Sequence, residues 1–187
     1  MSSKGKEYEI AAYQYFDNLI KQRFFGYPPE QCSLKHQPPY FSKDREKNIY
    51  FDLSLEYFLP DQSTPFLIHI IECKNYNKKV CIDDVEEFAS KLEQLRTFKV
   101  FPIFLTTVGF QEGCLTFAKN RGIALWLYKP NGEHQILLNR QKQRLQKLNH
   151  HIVKALTDEK FDSAHIGNIF IQTTSKLTLY RLCCTKI

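Results

Sequence analysis

Most of the features that assign a chain at first sight are missing from these 187 residues. Six cysteines are present, Cys32, Cys73, Cys81, Cys114, Cys183 and Cys184, yet no two form a C-x-x-C pair and no Cys/His cluster has zinc-ligand spacing, which argues against a structural zinc site. The opening MSSKGKEYE has no apolar stretch of the kind a secretory signal needs. No run approaches the roughly 20 apolar residues that cross a bilayer as a helix. Internal repeats and low-complexity tracts are absent. The expectation is a cytoplasmic protein with no membrane partner, whose reduced cysteines serve as small buried hydrophobes.

What is present fits an ordinary globular chain. A hydrophobic share of 43% beside 25% charged residues excludes a disordered composition, and 15 Phe with 10 Tyr supply large side chains for a core. The length suits one domain with room for a C-terminal addition. A net charge of +6 favours polyanions such as nucleic acid, which is a statement about attraction and not about fold.

Along the chain, residues 5–20 read as a helix. Tyr8, Ala11, Ala12, Tyr15, Phe16 and Leu19 recur at helical spacing, and Gly26 with Pro28-Pro29 ends the segment. Residues 30–47 read as loop with one short strand at most. Residues 49–58 (IYFDLSLEYF) alternate as a strand, LPDQSTP turns, and residues 66–74 (FLIHIIECK) form a buried strand, together an antiparallel hairpin. Asp83 and Asp84 offer N-caps to a helix carrying Val85, Phe88, Ala89, Leu92 and Leu95, with Glu86 and Glu87 as capping-box partners. Residues 99–107 read as a strand in which Pro102 weakens pairing on one side. A helix from Gln111 ends at Gly122, residues 123–128 read as another strand, and Pro130-Asn131-Gly132 is a turn. Residues 139–156 read as a basic amphipathic helix, and a short hairpin follows through FIQTTSKLTLY. The expected fold is α/β, a mixed central sheet flanked by helices, over residues 1–138, with a helical tail over 139–187.

The hairpin is where chemistry gathers. With its loop centred on Gln62, Asp52 falls directly opposite Glu72, where antiparallel partners hold their Cβ atoms about 4.5–5.5 Å apart. Lys74 shares the face of Glu72, because strand side chains alternate with period two. Two opposed carboxylates repel, and a hard divalent cation such as Mg²⁺ removes that cost while polarising a phosphoryl oxygen and supplying hydroxide. Lys74 could orient the attacking water or stabilise charge on the phosphorane. The plainer reading makes Asp52 and Glu72 solvated edge charges with Lys74 as their surface partner. Ile68, Ile70 and Ile71 sit less easily with it, since they describe a buried strand that ends abruptly in charge.

Here the chain resembles the PD-(D/E)xK superfamily, most closely the Mrr-type restriction endonuclease catalytic domain. The matching pieces are GKEYE, the Asp52 strand, ECKNY, VEEFASKL, FLTTVGF and AKNRGIALW, in the family's order over about residues 5–128. The resemblance implies a restriction-endonuclease-like core and a metal-dependent deoxyribonuclease. It implies that Asp52 and Glu72 bind Mg²⁺ (with Mn²⁺ as substitute), that Lys74 is catalytic, and that the main-chain carbonyl of Cys73 reaches the metal. Glu9 matches the family's first-helix acid and would assist; a solvated helix-start acid is its alternative. The family often carries Gln-x-Lys where this chain has Glu72-Cys73-Lys74, and Phe51 replaces the Pro of the family name. Nothing beyond Tyr128 is matched.

Asn75, Tyr76, Lys78 and Lys79 follow the E-x-K strand and are candidates for holding the DNA backbone, against a solvated loop. The tail's Arg140, Arg144, Lys147, His151 and Lys154 fit phosphate contact, dimerisation through a leucine stripe, or the outer face of a packed helix. A homodimer would suit double-strand cutting. Adjacent His150 and His151 point to different sides of a helix and are assigned no metal. Rival functions are a junction-resolving nuclease, a catalytically inactive DNA-binding module of the same fold, and a protein-interaction role for the tail. The chain ends abruptly, as a truncated version of a longer protein would.

Overall fold

A computed structural model describes residues 3–95 and 98–139, which belong to the first of two units of the chain, Met1–Gln141. The expected tail helix and hairpin lie outside the described residues. Helix α1 is Ser3–Lys21, followed by strands β1 (Cys32–His36), β2 (Pro39–Ser42), β3 (Lys47–Tyr50), β4 (Leu53–Tyr57) and β5 (Leu67–Lys74). Helix α2 (Ile82–Glu93), β6 (Val100–Thr106), α3 (Glu112–Arg121), β7 (Ala124–Tyr128) and β8 (His134–Leu138) complete it.

Six strands form one mixed sheet in the order β1-β4-β5-β6-β7-β8. The β5–β6 and β6–β7 pairs are parallel, each joined by a crossover helix, and the outer pairs are antiparallel. Alternation along the strands sends side chains to two cores. Ile68, Ile70, Phe104 and Leu125 meet Val85, Phe88 and Ala89 of α2 and Cys114 and Ala118 of α3. On the other face Leu53, Leu55, Ile71, Leu105 and Trp126 meet Tyr8, Ala12, Phe16, Leu19 and Ile20 of α1. The fold is therefore mixed α/β with helices on both faces of the sheet. Each fully buried Phe or Ile in these layers contributes about 1.5–3 kcal/mol.

The hairpin register is the expected one, with Leu53 paired to Ile71 and Ser54 to Ile70. Residues 49–58 are nonetheless two strands, not one. A bend at Phe51-Asp52 separates β3 from β4, and β3 pairs with β2 in a small sheet of its own. Ile49 and Phe51 belong to the α2 core while Leu53 and Leu55 face α1. One regular strand would put all four on one face, so the bend is what lets both pairs bury their side chains. Residues 30–47, expected to be loop with one short strand at most, contain both β1 and β2, and β8 adds a further strand that the sequence reading does not include. The buried Glu56 explains part of this. It accepts from Lys35 Nζ of β1 at 2.7 Å and from Tyr40 Oη of β2 at 2.8 Å, tying edge strand and small sheet to β4 by contacts remote in sequence.

Two local expectations change. Asp83 and Asp84 are not caps: the N-cap of α2 is Cys81, without a side-chain capping bond, and both acids lie in the first turn, where they still complement the helix dipole. Pro102 lies in the central strand β6, paired with Ile70 of β5, but the β7 ladder starts only at Ile103, so its missing N–H falls where one neighbour is absent. Gly122 closes α3 with φ 67°, the left-handed conformation that glycine adopts without strain.

His69 on β5 is buried against Phe25, Tyr27 and Phe101, and its Nε2 lies 3.2 Å from Tyr27 Oη. Burial lowers its pKa from 6.5 to about 3. The unfolded chain therefore takes up this proton first, and the stabilisation is complete above about pH 6.5 and lost as pH falls toward 3. Urea unfolding should show wild type losing about 2 kcal/mol between pH 7.5 and 5 relative to His69→Gln, at roughly 1.36 kcal/mol per pH unit. Parallel pH dependence in the two proteins would show that His69 is not held neutral.

Candidate active site

The end of the β4–β5 hairpin brings Asp52, Glu72 and Lys74 together. Extending the observed register by one residue sets Asp52 against Glu72, and both are 8% exposed. Strand β5 is buried from Leu67 to Cys73, then reaches the surface at Lys74. The abrupt passage from isoleucine to charge is thus real.

Asp52 sits in the bend and not in a strand. Its Oδ2 accepts the Cys73 backbone N–H at 2.7 Å, so the carboxylate replaces the main-chain acceptor that a continued β4 would have offered. N–H and C=O of one strand residue face the same edge, so the Cys73 carbonyl belongs to the β4 edge of β5. The Asp52 carbonyl in turn accepts the N–H of Gln37 at 2.8 Å.

Electrostatics follow from this crowding. Burial, then the neighbouring Glu72 carboxylate, raise the Asp52 pKa from 3.8 to about 7, against the Cys73 hydrogen bond that lowers it. Lys74 Nζ donates to Glu72 Oε1 at 2.9 Å. Burial alone would lower the Lys74 pKa, but the charge and hydrogen bond of Glu72 outweigh it and hold the ammonium above its ordinary value. Lys74 is therefore a fixed positive donor and a poor base. Of the two roles expected for it, charge stabilisation fits better.

Glu9 is buried at 1% exposure, so it is not the solvated helix-start acid of the alternative reading. Its Oε2 meets His36 Nε2 at 2.9 Å and accepts from Gln37 Nε2 at 3.3 Å. Glu9 Oε1 and Glu72 Oε2 are buried without hydrogen-bond partners. Such orphaned oxygens are costly unless something else binds them. As the side chains stand, no group of three His, Cys, Asp or Glu among the described residues is arranged to hold a metal ion. The donor chemistry is that of a hard cation, with acceptor-only oxygens on Asp52, Glu72 and Glu9.

The loop after β5 divides. Asn75 is consumed by scaffolding, donating to the Lys4 carbonyl at 3.4 Å and accepting from Thr107 Oγ1 at 3.0 Å. Tyr76 Oη donates to Asp84 Oδ1. Lys78 and Lys79 are exposed and better suited to a polyanion.

Three residues at the site went unread in the sequence. His36 and Gln37 sit in the segment taken for loop, where nothing marked them. Lys91 did carry a signal: it lies three residues after Phe88 and four before Leu95, beside the apolar stripe of α2. Its Nζ stands 3.7 Å from Glu72 Oε2. Two clefts elsewhere, one lined by Ala89, Leu92, Arg121 and Ile123 and one by Phe25, His69 and Trp126, share no residue with the acidic cluster.

The four described cysteines are free thiols, and among the described residues no helix is long and apolar enough to cross a membrane. No family model matches this chain, and no curated protein matches it. A crystallised protein of unknown function, AF1548, is similar over 63% of this chain and 56% of its own, at 16% identity with a TM-score of 0.45. This chain thus spans about 56% of that protein's length.

Proposed function

We propose that the protein is a metal-dependent endonuclease of the PD-(D/E)xK, restriction-endonuclease-like type that hydrolyses DNA phosphodiester bonds. The observation that carries this reading is the convergence of the buried Asp52 and Glu72 carboxylates where the β4–β5 hairpin ends, close enough for Glu72 to raise the Asp52 pKa, with Lys74 bonded to Glu72. Folding has forced two buried carboxylates together and left an oxygen of Glu72 and one of Glu9 without partners. A structure stores that cost where function uses it.

Asp52 and Glu72 would hold Mg²⁺ or Mn²⁺, with Glu9 and the Cys73 carbonyl as further oxygen donors. When bound, the ion supplies Lewis acidity toward a phosphoryl oxygen and an activated water. The chain's own groups do the rest. The Lys74 ammonium faces the charge that builds on phosphorus as water adds and the leaving sugar oxygen departs. His36 and Gln37 fix Glu9 through one oxygen and leave the other for a ligand. Lys78 and Lys79, within a net charge of +6, would take backbone phosphates and position DNA without reading sequence. The site lies where β5 reaches the surface at Lys74, the side from which a polymer substrate would approach. We place the enzyme in the cytoplasm, with a homodimer as the form suited to double-strand cutting.

One observation favours a second reading, a catalytically inactive DNA-binding module of the same fold. Glu72 is already flanked by the ammonium groups of Lys74 and Lys91, so the chain partly neutralises this acid by itself. The deciding experiment incubates the purified protein with linear duplex, supercoiled plasmid and a four-way junction, in Mg²⁺, Mn²⁺ or chelator. Metal-dependent cutting is the expected result, and strong preference for the junction would make it a resolving nuclease. Salt-sensitive binding without cutting of any substrate would establish the module instead.

A further inference from the structure

Glu72 stands between two ammonium groups, and only one of them comes from its own strand. Lys91 reaches it from α2, with Nζ 3.7 Å from Oε2. That distance is too long for a hydrogen bond, and Oε2 has no hydrogen-bond partner. Packing, more than the carboxylate, places this lysine. Its Nζ lies 4.5 Å from the centroid of the Phe51 ring, and Phe88, one turn earlier on α2, packs edge-on against the same ring at 6.5 Å. Phe51 is buried and immediately precedes Asp52. A monovalent cation is thus built in beside the one oxygen of Glu72 still open to a ligand.

We propose that Lys91 is the phosphate anchor of this centre, parked on Glu72 in the metal-free protein and released to a DNA phosphate when a divalent cation takes the carboxylate. The inference rests on the nuclease reading and deepens it. An ammonium 3.7 Å from Glu72 Oε2 would be repelled by a divalent ion held on that carboxylate, so the lysine would give up the carboxylate. The Phe51 ring beneath the ammonium attracts it through the cation–π contact, which keeps the freed charge at the centre. The anion that DNA brings there is a phosphate oxygen. A lysine ammonium is a point charge without the fork that reads a base edge, so the contact holds the backbone and not the sequence.

The test uses Lys91→Met, which keeps an unbranched side chain of similar length and removes the charge, with Lys91→Gln should the first fold poorly. Mn²⁺ binding to the DNA-free protein is followed by electron paramagnetic resonance. Affinity should rise about threefold to tenfold, because a competing cation has gone. Binding of a short duplex is then measured at graded salt in a Lys74→Ala background. In Mg²⁺ the salt slope should fall by about one on losing Lys91, and in chelator it should not change. Unchanged or weaker Mn²⁺ binding in a folded variant, or an unchanged slope in Mg²⁺, overturns the assignment while leaving the nuclease reading intact. A wild type that binds no Mn²⁺ overturns both.

Discussion

Replacing Asp52 with Asn should make the metal-free protein more stable while abolishing cleavage. The carboxyl titrates near 7 in the fold against 3.8 for the free group, so between those values the folded state holds a proton that the unfolded state has released. Stability from the native aspartate is complete below about pH 4 and is lost as pH rises through 7. At about pH 8 in chelator the wild type carries a charged carboxylate beside Glu72, at a cost on the order of 2–4 kcal/mol by the shift. Asn keeps an oxygen for the Cys73 N–H and carries no charge. Its melting temperature should therefore exceed wild type by several degrees at pH 8, and the gain should vanish near pH 4. Mg²⁺ should raise the melting temperature of wild type and leave the variant nearly unmoved. An equal gain at both pH values would trace the effect to packing and not to charge.

Lys74→Ala should cut the cleavage rate by about 10²–10³-fold, the usual cost of removing one donor aimed at developing charge. The loss should fall on kcat in single-turnover assays, with DNA affinity little changed, because the ammonium is bonded to Glu72 in the ground state. Removing it leaves Glu72 Oε1 without that hydrogen bond, so metal binding should persist or strengthen. A variant that loses DNA binding in step with rate would place Lys74 on the phosphate backbone instead.

Much of this was legible in the sequence because it is local. Hydrophobic period located α1 and α2, Gly122 marked the end of α3, apolar runs located the strands of the parallel core to within a few residues, and the loop centred on Gln62 fixed the β4–β5 register. That register is what placed Asp52 against Glu72 and Lys74 beside it. What stayed hidden depends on partners far along the chain. β1 and β2 are held by Glu56 through Lys35 and Tyr40, and no short window contains that pairing. The bend at Asp52 cannot be read from alternation, since IYFDLSLEYF alternates without interruption on either side of it. Asp84 lies in the first turn instead of at the cap, where its carboxylate accepts from Tyr76 Oη and from the thiol of the N-cap Cys81. Lys91 was readable as a residue on the edge of an apolar stripe, but its reach to Glu72 depends on α2 crossing back over β5.

The most direct measurement is plasmid cutting by wild type and Asp52→Asn side by side, both confirmed folded by their melting curves, in Mg²⁺, Mn²⁺ and chelator. The expected result is cutting by wild type that requires metal and is absent from the more stable variant. Cutting that survives Asp52→Asn, or a folded wild type that leaves plain, methylated and branched DNA intact in both metals, would contradict the assignment of this acid pair as a nuclease centre.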